Sequence, residues 1–175
     1  MRNALADLAV ESEAALALTL RIGRAMDEAA GDESAAALAR ITTAAGKYWI
    51  CKRAPGRTYE AMECHGGPSH IEESTTPRLY RKAPLNSIWA GSGNVMCLDV
   101  LRAILREKAA LPAFLVELDA AAVSLKDELN DPVDLESRSR GITEMMAITQ
   151  QGALLVQHGP AAVLDALCAS RLGTR

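Results

Sequence analysis

Apolar residues recur at helical spacing along most of this chain. In residues 3–30 the larger apolar side chains fall near a 3.6-residue period, so we predict one long helix there. Leu18 and Ile22 lie off the main stripe and widen the apolar face, which indicates burial against more than one neighbouring helix. The main stripe consists of Leu5, Leu8, Leu16, Leu20 and Met26.

A second long helix is predicted over residues 33–65. Asp32 is placed to cap its start, and apolar positions then step by three and four residues. Pro55 lacks a backbone donor and is followed by glycine, so we expect a kink or a short break at that point. Gly66-Gly67-Pro68 combines residues that commonly terminate helices, so the helix is expected to end there.

Residues 68–93 are predicted to be mostly irregular. Thr76 followed by Pro77 is typical of a helix start, so a short helix is expected from Arg78 to Lys82. A long irregular stretch inside a helical protein is usually functional. This stretch is therefore where a site is expected.

Helical spacing resumes near Ser92, which is expected to cap a helix that runs to about Glu107. Further helices are predicted from Pro112 to about residue 129, over residues 135–158, and in a short segment after Gly159-Pro160. The apolar seams are Val95, Leu98, Leu101 and Leu105 in the first of these helices, Leu115, Leu118, Ala122, Leu125 and Leu129 in the second, and Val163, Leu164 and Leu167 in the last, with Asn130-Asp131-Pro132 as the break after the second.

Composition and charge agree with an all-α fold and argue against a nucleic-acid partner. Hydrophobic residues make up 49% of the chain but aromatic ones only 3%, so alanine and leucine form the core, and both favour helices. The first 104 residues carry twelve basic and twelve acidic side chains, and the remaining residues carry seven and ten. Because neither part is basic, we expect no DNA partner.

The cysteines and the apolar stretches predict a cytoplasmic protein. Cys51, Cys64, Cys97 and Cys168 are far apart and form no CxxC pair, which is typical of reduced thiols in the cytosol. No run of about 18 apolar residues is present, so no membrane span is expected. Acidic residues interrupt the first apolar stretch, so no signal peptide is expected either.

Two polar clusters are weaker candidates for sites. Cys64 and His65 are potential metal ligands, but adjacent side chains rarely converge on one ion and no second cluster supports them, so no metal is expected. Lys52, Arg53 and Arg57 form a basic cluster that either contacts phosphate or is a solvated helix face, and the second alternative is favoured.

The most specific signal is a set of ordered sequence blocks between residues 47 and 94. The blocks are Lys47-Tyr48-Trp49, Cys51-Lys52-Arg53-Ala54-Pro55, Glu60-Ala61-Met62-Glu63-Cys64-His65-Gly66-Gly67, Ile71-Glu72-Glu73-Ser74, Pro77-Arg78-Leu79-Tyr80-Arg81 and Asn86-Ser87-Ile88-Trp89-Ala90-Gly91-Ser92-Gly93-Asn94. In this order they resemble the acyl-CoA dehydrogenase family, in particular its adaptive-response, AidB-type branch. The likeness covers residues 10–105, and beyond them the chain resembles only a general helical C-terminal extension.

The resemblance implies a bundle of helices, FAD as cofactor, and assembly into dimers or tetramers. In the family a diglycine loop approaches the FAD of a neighbouring subunit, and at a glycine the backbone comes close to a ligand. This implies a cofactor-binding role for Gly66 and Gly67, and for Glu63, where many relatives have glutamine. A second block contacts the flavin nucleotide at a helix start. The matching residues in this chain are Gly91, Ser92 and Asn94.

This chain departs from the family pattern at both loops. Relatives usually have Gly-Gly-Asn-Gly-Tyr where this chain has Gly66-Gly67-Pro68-Ser69-His70. They commonly have a glutamate, the family's usual catalytic base, where this chain has Ala90. An alanine cannot accept a proton, and general-base catalysis is typically worth about 10²–10⁴ in rate. We therefore assign no catalytic residue. In some branches the base lies on a preceding helix, which is expected to fall upstream of residue 1.

The sequence thus predicts an acyl-CoA dehydrogenase C-terminal-like bundle over residues 1–107, with a helical extension packed on it over residues 108–175. The N-terminal and middle domains of the family are expected to be absent, so the chain alone is expected to be inactive. It would need a homo-oligomer or a separately encoded N-terminal half, and would bind acyl-CoA only if a partner completed the pocket. The alternatives are a non-catalytic helical interaction module and the remnant of a disrupted gene.

Overall fold

Every regular element that the structure describes is a helix, which confirms the predicted all-α fold. The computed structural model describes residues 1–118, 123–130 and 134–173. Its helices are α1 (Arg2–Glu28), α2 (Glu33–His65), α3 (Thr76–Asn86), α4 (Gly93–Arg106), α5 (Ala110–Leu118), α6 (Val123–Asn130), α7 (Leu135–His158) and α8 (Ala161–Leu167), with a 3-10 turn at Gly67–His70 and a π-helical turn at Cys168–Leu172. Ala122 and the predicted break at Asp131-Pro132 lie outside the described residues.

The central element is α2, which packs against α1, α3, α4, α5 and α7. Asp32 caps it as predicted, because its Oδ1 accepts the backbone N–H of Ser34 at 2.8 Å. The helix continues through Pro55, so the predicted short break is absent, and the alternative, a kink, stays a prediction. A proline removes only one intrahelical donor, and the packed stretches on either side keep the helix continuous. The Thr58 hydroxyl also donates to the carbonyl of Ala54 at 3.0 Å.

The predicted apolar stripe of α1 is wrong. Its large residues are exposed except for the partly buried Leu8, with Leu16 at 53% and Leu20 at 64%, whereas Leu18 is fully buried. The buried positions are Val10, Ala14, Leu18 and Ala25. Most of these buried residues are small, and small residues let α1 and α2 approach each other closely. At Gly46 of α2 an added Cβ would lie 2.5 Å from Cδ1 of Ile22. The expectation that α1 meets several neighbours is confirmed, since it contacts α2, α7 and α8.

The predicted seam of α4 is wrong in the same way. Val95, Leu98 and Leu105 are exposed, and only Leu101 of the expected set is buried. The buried residues of this helix are Cys97, Val100, Leu101 and Ala103. In both helices small residues occupy the tightest positions of the interface, and a period counted from leucines alone selects the wrong face.

The irregular stretch contains more helix than we predicted. The helix α3 spans Thr76–Asn86 rather than Arg78 to Lys82. Its start follows the expected pattern, with Pro77 in the first turn and buried. Pro84 lies within the helix, and Ala83 beside it is buried. Packing of α3 against α2 therefore supports a helix that continues through Pro84, beyond the predicted end at Lys82.

The largest core cluster combines residues from both parts of the chain. Leu38 and Ile41 of α2 pack in one cluster with Phe114, Ile142 and Met146. Leu118 of α5 and Leu125 of α6 are buried in the same cluster, as their seam positions predicted. The helix α7 has the predicted bounds. The division at residue 107 stays a prediction.

No helix in the described part of the chain is both long and apolar enough to cross a membrane.

Candidate functional site

The first predicted loop lies where α2 ends. Gly66 has φ 74°, a conformation that favours glycine, and its N–H donates to the carbonyl oxygens of Met62 at 3.1 Å and Glu63 at 3.2 Å. The Ser69 hydroxyl donates to the Gly66 carbonyl at 2.6 Å and folds the next turn back onto the helix end. Both Gly66 and Gly67 are exposed, and an added Cβ would meet no atom within 4 Å at either position. The backbone here is therefore open to a ligand.

Glu63 lies on the last turn of α2, beside an aromatic pair. The hydrogen bond with Glu63 raises the pKa of the exposed Tyr59 hydroxyl above its ordinary value. The Tyr59 ring lies 6.1 Å from that of Tyr80 of α3, tilted by 49°. Glu63 is itself exposed. The Glu63 carboxylate therefore bonds to Tyr59 and remains accessible to solvent.

The second predicted loop leads into α4. Ala90 has φ 51° and Gly91 has φ 98°, so two successive residues lie in the region that disfavours side chains. An added Cβ on Gly91 would lie only 2.3 Å from Cε of Met96. Ser92 takes the N-cap position as predicted, although its side chain makes no capping hydrogen bond. Ser92 and Asn94 are exposed, so the first N–H groups of α4 remain accessible.

The side chain of Lys47, on α2, binds the backbone of this loop. Its Nζ donates to the carbonyl oxygen of Trp89 at 2.8 Å and to that of Gly91 at 2.5 Å. The two carbonyls flank Ala90, so one ammonium group binds the backbone on either side of the strained residue.

Ala90 lies at the edge of a groove of about 560 Å³ between α2 and the start of α4. Its lining is mostly apolar and includes Met26, Ala39, Ala44 and Met96. Asp99 also lines the groove, but Arg40 binds both of its oxygens at 2.9 and 3.0 Å, and Arg102 binds Oδ1 at 3.0 Å. This carboxylate is therefore already fully engaged and is not placed to act as a free base.

The two loops are far apart within one chain. Lys47 contacts the second loop, whereas the first loop begins after His65, and the two residues lie about 27 Å apart along α2 at the helical rise of 1.5 Å per residue. The six predicted cofactor residues thus form two separate surfaces rather than one pocket. Glu63, Gly66 and Gly67 belong to the first surface, and Gly91, Ser92 and Asn94 to the second.

The basic cluster on α2 is used mainly inside the protein. Arg53 pairs with Glu11 at 2.5 Å and stacks over Trp49 at 4.4 Å, and Arg57 pairs with Glu11 at 2.9 Å and with Asp7. Burial alone would raise the pKa of Glu11, but the Arg53 hydrogen bond and the nearby arginine charges hold it below its ordinary value. Of the cluster, Lys52 is exposed on the surface of the helix.

Metal binding has no structural support in the ranges described. No group of three or more His, Cys, Asp or Glu residues there could hold an ion.

Sequence reasoning missed Lys47 and the Arg40–Asp99 pair. Lys47 belongs to one of the sequence blocks that carry the family resemblance, but the sequence gives no sign that its side chain binds the second loop. Its partners are backbone carbonyls 42 and 44 residues away, which leave no mark in the sequence.

Known proteins similar to this chain carry the same family name. A sequence model of the acyl-CoA dehydrogenase C-terminal domain matches residues 1–105. The putative acyl-CoA dehydrogenase AidB of Escherichia coli (strain K12) is 39% identical over the whole of this chain, which spans 34% of that protein. This similarity extends past residue 105, where the sequence had suggested only a general helical extension.

Two more distant matches indicate the same family. Acyl-CoA dehydrogenase family member 11 of Caenorhabditis elegans is 25% identical, over 88% of this chain and 30% of its own length. The crystal structure of Caenorhabditis elegans ACDH-11 in complex with C11-CoA superposes with a TM-score of 0.81 and 25% identity, over 92% of this chain and 33% of that one. The chain thus spans about a third of the length of these relatives, and it belongs to the acyl-CoA dehydrogenase family, with residues 1–105 matching the C-terminal domain.

Proposed function

We propose that this chain is the flavin-contacting C-terminal part of an FAD-dependent oxidoreductase acting on the CH–CH group of acyl-CoA thioesters, and that it carries no catalytic base. The observation that carries the proposal is the loop at residues 89–92. It has a strained, well-held backbone, as expected of a functional loop, yet the side chain at its centre is only the methyl group of Ala90.

The missing base would prevent the chemical step. In the family a carboxylate removes the α-proton of the thioester, while FAD, when bound, accepts the hydride from the β-carbon. Ala90 has no acceptor atom, and the Asp99 carboxylate in the same groove is occupied by arginines. Proton removal would then require a group from elsewhere, which supports inactivity of these residues alone.

The open backbone of both loops supports a flavin-binding role. Gly66 and Gly67 offer a surface without side chains, and the start of α4 offers accessible N–H groups near Gly91, Ser92 and Asn94. Because the two surfaces lie so far apart, we assign them to two different flavins. In this arrangement the second surface contacts the flavin of its own protomer.

The first surface then needs a partner. We propose that Glu63, Gly66 and Gly67 contact the flavin of a neighbouring copy, or of a separately encoded N-terminal half. Acyl-CoA would bind only where such a partner completes the pocket. Support comes from the related nematode enzyme, whose crystal structure contains C11-CoA.

A flavin titration of the purified chain tests the proposal. Two surfaces without the rest of a cleft should bind FAD weakly, with a dissociation constant on the order of 0.1 mM or above. The chain should therefore purify colourless, and quenching of flavin fluorescence should weaken further in Ser92→Ala. The matched control is Ser12→Ala, on the exposed face of α1. Purification with a stoichiometric yellow chromophore would contradict weak binding. Equal titrations of Ser92→Ala and the wild type would contradict the assigned surface.

One observation favours a second candidate function, a non-catalytic helical interaction module. Leu5, Leu16 and Leu20 form an exposed apolar face on α1, each more than half exposed. Contiguous apolar surface on a small protein marks an interface when it exceeds a few hundred Å². A chain that binds no FAD but captures a stable partner through α1 would support this alternative.

Location and nucleic-acid binding follow from charge and thiol chemistry. We place the protein in the cytoplasm, because all four cysteines are free thiols. DNA is not among the proposed partners, because Arg53 and Arg57 are neutralised by Asp7 and Glu11. A salt-sensitive gel shift at submicromolar protein would contradict this exclusion.

A further inference from the structure

The turn at residues 89–91 holds a conformation that an alanine does not adopt by itself. Ala90 at φ 51° is in the left-handed region, which costs an L-residue roughly 1–2 kcal/mol. Such a conformation persists only where the surroundings over-determine it. The surroundings here are the Lys47 ammonium, 2.8 and 2.5 Å from the carbonyl oxygens on either side, and the Met96 side chain packed against Gly91.

Lys47 directs its charge at this turn. Among the ion pairs of the described ranges, none involves Lys47. Its side chain is half-buried, and both recorded hydrogen bonds go to the loop backbone. Hydrogen bonds from a charged donor are roughly twice as strong as neutral ones. The start of α4, which follows the turn, also lies close to α2, because an added Cβ on Gly93 would lie 3.4 Å from the Tyr48 ring.

We propose that Lys47 is the positioning residue of the flavin-contact loop. Its ammonium fixes the direction of the Cα–Cβ bond of residue 90 and aims the N–H groups of residues 91–94 away from α2. The family places its base at residue 90, so the same contact would set the position of that carboxylate in an Ala90→Glu chain. This role rests on the proposed function of the loop. In this role Lys47 acts through the backbone carbonyls of Trp89 and Gly91.

The test measures loop order in the flavin-free chain. Backbone ¹⁵N order parameters at Ala90, Gly91 and Ser92 should be near the rigid value of about 0.85 in the wild type and fall below about 0.6 in Lys47→Met. Lys108→Met is the matched control, since Lys108 is an exposed lysine that follows the far end of α4. It should leave the three values unchanged. Lys47→Arg, which keeps a charged donor, should restore most of the order.

Two further readouts separate positioning from general stability. Order parameters in α5 and α7 should stay unchanged in Lys47→Met, and FAD affinity should fall about tenfold or more relative to Lys108→Met, as expected for losing charge-assisted hydrogen bonds. If Lys47→Met fails to fold, Lys47→Gln is measured in its place and should give an intermediate loss of order.

The outcomes for Lys47 and for the proposed function are distinguishable. Unchanged order at residues 90–92 in Lys47→Met, with FAD still bound by the wild type, would overturn the role of Lys47 and leave the proposed function standing. Loss of order in a chain whose wild type binds no FAD would support the contact to the loop and overturn the flavin assignment.

Discussion

Replacing Gly91 with alanine should destabilise the protein, although glycine-to-alanine changes usually stabilise helical proteins. At φ 98° an L-residue is strained at a cost on the order of 1–3 kcal/mol. The new Cβ would also meet Cε of Met96 at 2.3 Å. Met96 packs against the cluster around Tyr48 and Trp49, so its movement is restricted.

The opposing effect is smaller. Alanine lowers the conformational entropy of the unfolded chain and thereby stabilises the folded protein by about 0.4–1 kcal/mol. We therefore expect a net loss of roughly 1–3 kcal/mol in the free energy of unfolding, and at about 2–4 °C per kcal/mol for a chain of this size the Tm should fall by roughly 2–12 °C.

Gly56→Ala is the matched control, because the same change there has the opposite expected sign. Gly56 lies within α2, and an added Cβ would meet nothing within 4 Å. Helix propensity favours alanine by up to about 1 kcal/mol. Circular dichroism melts at one fixed protein concentration measure both variants. A Tm for Gly91→Ala at or above that of the wild type would refute the strain assigned to this turn.

Three further predictions follow from buried and exposed side chains. Neither polar atom of the Gln150 side chain, which is 1% exposed, has a hydrogen-bond partner in the described chain. Gln150→Met should therefore raise the free energy of unfolding by about 1–2 kcal/mol, measured in urea. Gln151→Met should lower it, because the Gln151 amide oxygen accepts a hydrogen bond from the buried Trp49 indole. The pKa of Glu11 is held below its ordinary 4.5. The ionised carboxylate therefore stabilises the fold above that value, and this stabilisation is lost as the pH falls through the lower folded pKa. The difference in free energy of unfolding between wild type and Glu11→Gln should shrink with acidification. The wild type should self-associate through α1, and Leu16→Glu should shift light scattering across a dilution series towards monomer, whereas the same change at the exposed Leu105 of α4 should not.

Each of these can fail in a recognisable way. Equal loss of stability in the two glutamine variants would show that Gln150 has a buried partner, such as water. A pH-independent gap for Glu11→Gln would contradict its charge pairing. A wild-type chain that stays monomeric at micromolar concentration would contradict the α1 interface.

The helix boundaries that carry strong local signals could be predicted from sequence. Gly31 with Asp32, Gly66 with Gly67, and Gly159 with Pro160 punctuate the chain, and α1, α2 and α7 begin and end within about two residues of the predicted positions. Cap and stop signals act through bonds between near neighbours in the chain, so they remain valid whatever the tertiary packing.

The buried faces could not be predicted as well. Exposed leucines on α1 and α4 carry the clearest helical period, whereas alanines and Gly46 make the closest contacts. Which face is buried depends on how closely two helices approach, and a single-helix period does not contain that information. Of the two alternatives expected at Pro55, a kink or a short break, the break is absent, because one missing donor does not interrupt a helix that packs against several neighbours.

The candidate site was predicted as residues but not as an arrangement. The family resemblance marked both loops, yet their separation along α2 and the Lys47 contact to Trp89 and Gly91 depend on the folded chain. Strain at Ala90 was also invisible, because an alanine in a left-handed conformation has no sequence signal.

The most direct test of the central claim is an acyl-CoA oxidation assay of the purified chain with added FAD and an electron acceptor. Ala90 supplies no base and Asp99 is bound by arginines, so we predict no turnover above buffer. We also predict no recovery in Ala90→Glu alone, because we propose that acyl-CoA binds only where a partner completes the pocket. Measurable turnover by the wild-type chain that disappears when flavin is stripped, and returns when FAD is added back, would contradict the account.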